Sequence, residues 1–263
     1  MTNLHVESLT YKIETDEGLS YYQPPPLDIS NQQWDGRLEK DTLTCKMKIS
    51  LPTADDARKV VDPFLRAWEI DVSLKLNRRS SIRFIYVDAK IVDLDPPQNG
   101  SITIYPQGIL SSVKFGMPKI SITMHKYPEP PYNFIVSPDV EKLWYRYGMY
   151  LDRKEPLITM AYFCLTFIEN KYGKGEKGKL KRKHTADTLK INLKVLNKLG
   201  ELTSIRGSTE TARKITSENV LSPLIGKEIR WIETLLKIII YRLGQDVSSI
   251  ASIEMKDLPA LHD

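Results

Sequence analysis

The chain has little cysteine and histidine, and this limits the sites it can build. Among 263 residues there are two cysteines and four histidines. Cys45 and Cys164 stand far apart without a CxxC partner, so the pattern predicts two buried, reduced thiols and no disulfide framework. No two histidines have HxxxH or HExxH spacing, which leaves zinc unsupported. We therefore predict no metal and no cofactor.

Long apolar runs are also missing. The longest, such as LITMAYFCLTFI, fall short of the about 18 residues that suggest a membrane span. The first residues, MTNLHVESLTYKIETDEG, contain an acidic cluster and no apolar segment of the kind found in signal peptides. The sequence predicts a cytoplasmic protein with no membrane partner.

Familiar catalytic motifs are absent from the sequence. There is no GxSxG, no GxGxxG after a strand and no cysteine in a nucleophile motif. Asp88, Asp93 and Asp95 could bring two carboxylates together as a metal pair, but Pro96 and Pro97 favour a polar turn. A protein without catalytic activity is favoured over an enzyme.

Residues 1–132 have the two-residue alternation of β-strands, and we predict a β-rich N-terminal module there. Apolar and polar residues alternate from Leu9 to Glu14, from Leu43 to Leu51 and around Ile82, Ile102 and Ile120. The intervening YYQPPPLDISNQQWDG predicts an irregular excursion. A helix capped by Thr53 follows, in which Pro63 predicts a kink or two short helices, with a single helix packed on the sheet as the simplest picture.

Residues 133–263 have helical periodicity and predict a helical bundle domain, joined to the first module by the stiff connector KYPEPPYNF. The fold class is thus α+β, with a mostly antiparallel sheet and a packed helix in front of a bundle. The predicted helix landmarks are the Ser137 cap with Pro138, Pro156 to Gly173, the Thr185 cap to a stop at Gly200, a short helix around Thr209 to Thr216, and a last helix ending near Gly244.

One segment, KYGKGEKGKLKRKH, concentrates positive charge. Mobile cations in a glycine-rich loop could neutralise the phosphates of RNA or DNA, although a solvated interhelical loop fits the composition equally well. Leu180 occupies the Ser/Thr position of a P-loop, so this is not one. The candidate nucleic-acid-binding residues are Lys171, Lys174, Lys177, Lys179, Lys181, Arg182 and Lys183.

A second candidate anion site is LTSIRGSTETARK, where Arg206 and Arg213 flank a potential helix start at Ser208. The simpler interpretation is a plain loop with a helix cap, and we favour it.

The order of the two halves, with WYRYG at Trp144 to Gly148 and IIIYRLG in the last helix, resembles bacterial proteins that carry an ApeA-like HEPN domain. The resemblance covers the back half and implies a helical bundle, a role in phage defence and cleavage of RNA. The ribonucleases of that family use an arginine four to six residues before a histidine, and none of the four histidines here has one.

We therefore expect a non-catalytic binding or accessory protein, a nucleic-acid-associated subunit of a bacterial antiviral defence or regulatory complex, with RNA or DNA and a protein encoded nearby as partners. One alternative is a metal-independent HEPN-like ribonuclease, in which His184 transfers protons and Arg206 or nearby lysines hold phosphate. Another is a pure protein–protein interaction module.

Overall fold

The computed structural model describes residues 4–93, 122–206 and 222–261. The chain forms two compact units, Met1–Tyr132 and Asn133–Asp263. An antiparallel sheet precedes a set of helices, so the predicted α+β class is confirmed. No described helix has the length and apolarity needed to cross a membrane. Four predicted features lie outside the described residues: the strand around Ile102, the start of the strand at Ile120, Asp95 and the helix around Thr209 to Thr216.

The first unit is built on a five-stranded sheet in the order β3-β4-β5-β1-β6, in which all neighbours are antiparallel. A separate parallel pair joins β2 to β7. The strands are β1 Leu4–Thr15, β2 Leu19–Tyr21, β3 Leu27–Ser30, β4 Trp34–Glu39, β5 Thr42–Met47, β6 Ile82–Asp93 and β7 Ile122–Met124.

The helix α1, Ala54–Leu76, covers one face of this sheet. Thr53 caps it as predicted by accepting a hydrogen bond from the Asp56 amide. The helix continues through Pro63, so the simple picture of one packed helix holds and the split into two is wrong. Apolar contacts of Val61 and Trp68 with the sheet continue on both sides of the proline and stabilise an unbroken helix.

The predicted irregular excursion is wrong, because it contains all of β3, the start of β4 and the last residue of β2. In β4 the buried positions are Trp34, Gly36 and Leu38, and exposed polar residues lie between them. Gly36 hides the alternation because it contributes no side chain. A Cβ there would lie 2.7 Å from the Trp34 ring, so the large neighbour occupies the space that glycine leaves.

The second unit is helical: α2 Pro138–Leu151, α3 Leu157–Tyr172, α4 Gly178–Leu189, α5 Leu193–Ile205 and α6 Gly226–Gly244, followed by single 3-10 turns at Val247–Ser249 and Met255–Asp257. Ser137 caps α2 through the Val140 amide, as predicted. The apolar face of α6 is buried at Trp231, Leu235 and Ile239. Cys45 and Cys164 are free and buried, one in each unit, which confirms that prediction.

Two predicted helix ends in this unit are wrong. Thr185 does not cap a helix but lies inside α4, where its hydroxyl donates to the Lys181 carbonyl at 2.9 Å. α4 ends instead at Lys190, which adopts a left-handed conformation, and the Asn192 side chain caps α5. α5 then runs past Gly200 to Ile205.

Candidate nucleic-acid interface

The basic segment, defined as residues 171–184, joins α3 to α4. Its first two residues end α3, residues 173–177 form the loop, and the rest belongs to α4, which begins at Gly178. The prediction of a loop through His184 is therefore wrong for the second part. Lysine, leucine and arginine are good helix formers, and their run after Gly178 explains why the chain becomes helical there.

The glycines of this segment have specific conformational roles. Gly175 and Gly178 have φ angles of +72° and +59°, in the left-handed region that glycine adopts without strain. Lys174, which follows the end of α3, also has a φ angle in this region. Gly173 is buried, and a Cβ there would collide with the Lys181 side chain and the Glu169 carbonyl. The loop therefore has a defined path that brings α4 close to α3.

Three of the predicted phosphate-binding residues are engaged with other helices. Lys171 pairs with Asp139 on α2, and Lys181 bonds to Asn170 on α3. The Arg182 Nε lies 2.5 Å from the Glu169 Oε1, and its Nη1 donates to the Asn197 Oδ1 at 3.3 Å. The Lys171 pair joins α3 to α2, and the Lys181 and Arg182 contacts hold α4 against α3 and α5.

Four further lysines of the segment are exposed: Lys174, Lys177, Lys179 and Lys183. None of them forms an ion pair with a side chain in the described ranges. Lys179 and Lys183 are one turn apart on α4 and share a side of the helix. The nearest acids in sequence are Glu176 and Asp187, both exposed, so positive charge prevails on this surface. We call these four residues the exposed lysines.

Arg206 takes part in a partly buried ion pair with Glu228. Its Nε and Nη2 donate to the Glu228 Oε1 at 3.0 and 2.8 Å, and its Nη1 donates to Ser222. Glu228 is buried and also accepts from the Ile225 amide, at 3.0 Å. The guanidinium thus joins the end of α5 to the start of α6. Arg213 lies outside the described residues.

The ribonuclease alternative places His184 near a phosphate held by Arg206 or by nearby lysines. His184 lies within α4, and no hydrogen bond joins it to Arg206 in the part of the chain that the structure describes. Over the same residues, no group of three or more His, Cys, Asp or Glu side chains could hold a metal ion.

A row of cations and aromatic rings along α2 and α3 was missed from the sequence. The Arg146 guanidinium lies 4.3 Å from the centre of the Phe163 ring, and the Lys142 Nζ lies 4.9 Å from that of Phe167. Tyr145, which precedes Arg146 in the sequence, is exposed. The sequence shows the i, i+4 spacing of the two cations on α2 and of the two phenylalanines on α3. It does not show that these two helices face each other.

Comparison of the chain with known protein families, with curated proteins and with solved structures finds no match. The resemblance to HEPN-domain proteins therefore stays a prediction.

Proposed function

We propose that the protein is a non-catalytic nucleic-acid-binding protein that serves as an accessory subunit of a larger defence or regulatory complex. The observation that carries this proposal is the set of exposed lysines between residues 174 and 183, which no ion pair with a described side chain neutralises.

These lysines suit a phosphate backbone for a physical reason. A lysine that contacts phosphate releases a counterion condensed on the nucleic acid, and this release drives binding without reading base sequence. A lysine that already pairs with a carboxylate must first give up that partner. Lys171 and Arg182 are in this position, because Asp139 and Glu169 hold them.

The N-terminus of α4 adds the partial positive charge of the helix dipole to the charge of these lysines. The helix places its N-terminal amides beside Lys177 and Lys179, and its first turn contains no acidic residue. Phosphate groups near this end therefore meet lysine charge and the helix dipole together.

The test is a variant in which the four exposed lysines are replaced by glutamine. Binding of a labelled RNA or DNA strand should weaken at least about tenfold at low salt, and the slope of log K against log salt should fall by about 0.7 for each lost single-strand phosphate contact. Thermal unfolding should change little, because exposed side chains away from packed contacts add little stability.

A matched control removes four exposed lysines of the first unit: Lys12, Lys40, Lys46 and Lys126. It changes the net charge equally and should leave binding within about twofold of the parent. Equal losses in both variants would show a general charge effect, and the absence of salt-sensitive binding in the parent would refute the proposal. Cleavage of the RNA in EDTA would refute its non-catalytic part.

The accessory role has its own measurement. The protein should form a complex of fixed stoichiometry when it is co-expressed with the products of adjacent genes and passed through a size-exclusion column. If the protein elutes as a free chain after co-expression with each of these gene products, the accessory role is contradicted. The proposal of nucleic-acid binding would still stand.

A further inference from the structure

The basic segment has charge for phosphates but no free side chain of the kind that selects a base. Proteins read bases best with planar groups that make two parallel hydrogen bonds, namely arginine on guanine and asparagine or glutamine on adenine. Residues 171–184 contain no asparagine or glutamine, and their one arginine is Arg182. Its guanidinium contacts Glu169 and Asn197, and the side chain is 28% exposed. The segment therefore offers no free guanidinium or amide to a base edge.

The aromatic rings in and beside the segment are also engaged. Tyr172 is the only aromatic residue of the segment, and it is partly buried with its hydroxyl donating to Asp139 at 3.3 Å. Phe163 and Phe167, further along α3, are each covered by a cation of α2, at 4.3 and 4.9 Å from the ring centres. Proteins that bind single strands hold the bases by stacking them on aromatic side chains. These rings do not provide that means of selecting a single strand.

What the segment does present is positive charge at defined backbone positions. Lys179 and Lys183 are one turn apart on α4, about 6 Å along the helix axis, and Lys174 and Lys177 lie in the loop that precedes the helix. An ammonium group is a compact point charge that contacts any phosphate oxygen and lacks the planar geometry that distinguishes bases. The affinity of this surface should therefore follow the density of phosphates on the ligand.

The density of phosphates differs between the two forms of nucleic acid. Duplex DNA carries one negative charge for about every 1.7 Å of its axis, because both strands contribute. Each phosphate contact releases about 0.9 counterion from a duplex and about 0.7 from a single strand. Contacts by all four exposed lysines would therefore release about 0.8 more counterions from a duplex than from a single strand.

We propose that the basic segment binds double-stranded nucleic acid through its phosphates alone and does not select a base sequence. This inference rests on the proposed function and adds the class of ligand. Since no base contact contributes, duplex and single strand should have equal affinities when extrapolated to about 1 M salt, where counterion release no longer adds to binding. The duplex should bind about tenfold more tightly at about 50 mM salt and about fourfold more tightly at about 200 mM.

The experiment measures the fluorescence anisotropy of a labelled DNA duplex of about 16 base pairs, and of one of its strands, with the full chain over this range of salt. The duplex should show the stated preference and the steeper dependence on salt. A duplex with the same composition in scrambled order should bind within about threefold of the first, because phosphates do not report sequence. A single strand that contains one 2-aminopurine should keep its fluorescence on binding, because no ring stacks on it.

Replacing the exposed lysines by glutamine should weaken duplex binding more than single-strand binding and so remove the preference, while thermal unfolding changes little. The matched control is the variant that lacks four exposed lysines of the first unit, and it should keep both the affinity and the preference of the parent. These control positions are Lys12, Lys40, Lys46 and Lys126.

The inference and the proposed function can fail separately. Single-strand binding as tight as duplex binding at about 50 mM salt would overturn the inference, as would a larger effect of scrambling or quenching of the 2-aminopurine. A duplex preference that persists on extrapolation to about 1 M salt would overturn it too, because it would require contacts beyond phosphate. In each of these cases nucleic-acid binding itself stands. If the parent binds neither form, both proposals fall.

Discussion

Replacing Arg182 by glutamine is expected to lower the free energy of unfolding of the helical unit by about 1–2 kcal/mol. The substitution removes the guanidinium that joins Glu169 on α3 to Asn197 on α5. Hydrogen bonds between charged groups contribute about 1.5–3 kcal/mol. We expect the smaller value of about 1–2 kcal/mol because the Arg182 and Glu169 side chains are 28% and 18% exposed, so that solvent screens part of their interaction.

The measurement is urea unfolding of the parent, Arg182→Gln, Glu169→Gln and the double variant, followed by circular dichroism. The double-mutant cycle should give a coupling energy of roughly 1 kcal/mol between the two side chains. Lys183→Gln is the matched control, because Lys183 is the adjacent cation on the same helix and is exposed. Its unfolding free energy should stay within about 0.5 kcal/mol of the parent.

The same variants separate structure from binding. Arg182→Gln should bind nucleic acid nearly as well as the parent at temperatures where both are folded, whereas loss of the exposed lysines should weaken binding and preserve stability. A coupling energy near zero, or a loss of binding in Arg182→Gln as large as that in the lysine variant, would refute the assignment of Arg182 to the helix contacts.

Further predictions concern packing and ionisation. Gly173→Ala should destabilise the protein by about 1–3 kcal/mol in urea unfolding, because its Cβ would meet neighbouring backbone, whereas Gly226→Ala, with open space around it, should be neutral or stabilising by up to about 1 kcal/mol. Burial raises the pKa of Tyr21 and of Tyr172 from 10.0 to about 12. The folded state therefore holds these protons more tightly than the unfolded state, and stability should fall as pH rises above about 10, with both phenols titrating late in absorbance at alkaline pH. Cys164 should react slowly with a thiol reagent without denaturant, since it is fully buried and burial raises its pKa.

The fold class was predictable because periodicity is strong in long elements. The helices at Ser137, at Pro156 and toward Gly244 combine caps or breakers with apolar faces, and the structure has them. The short strands β2 to β4 were not predictable in the same way. They contain three to six residues each, and Gly36 removes one of the few buried side chains that would have shown the alternation.

The boundary between α4 and α5 shows a second reason why sequence patterns mispredict helix ends. Lys190 adopts φ of 51° and ends α4, although lysine has no preference for the left-handed region. Gly200 has the residue type of a helix stop but lies within α5. A Cβ at Gly200 would lie 2.7 Å from the Arg182 Nη1, so this glycine is explained by close packing instead. Tertiary contacts decide both positions, and a local pattern does not contain them.

The candidate site divides in the same manner. Composition alone identifies residues 171–184 as the basic segment, because charge density is a local property of the sequence. The tertiary structure decides which of its cations are available to bind phosphate. Asp139 on α2 and Glu169 and Asn170 on α3 occupy three of them. Each acid or amide is 11 to 32 residues away from its partner in the sequence, and no local spacing predicts these pairs.

This division determines how mutations in the basic segment have to be interpreted. A variant that replaces Lys179, Lys181, Arg182 and Lys183 together would remove two exposed cations and two that bind neighbouring helices. Weaker binding could then follow from loss of phosphate contacts or from loosening of α4, and affinity alone would not separate the two causes. Replacement of the exposed lysines changes the surface charge and leaves the helix contacts in place. A loss of binding in that variant therefore reports on the interface itself, and the unchanged Arg182 contacts make it interpretable.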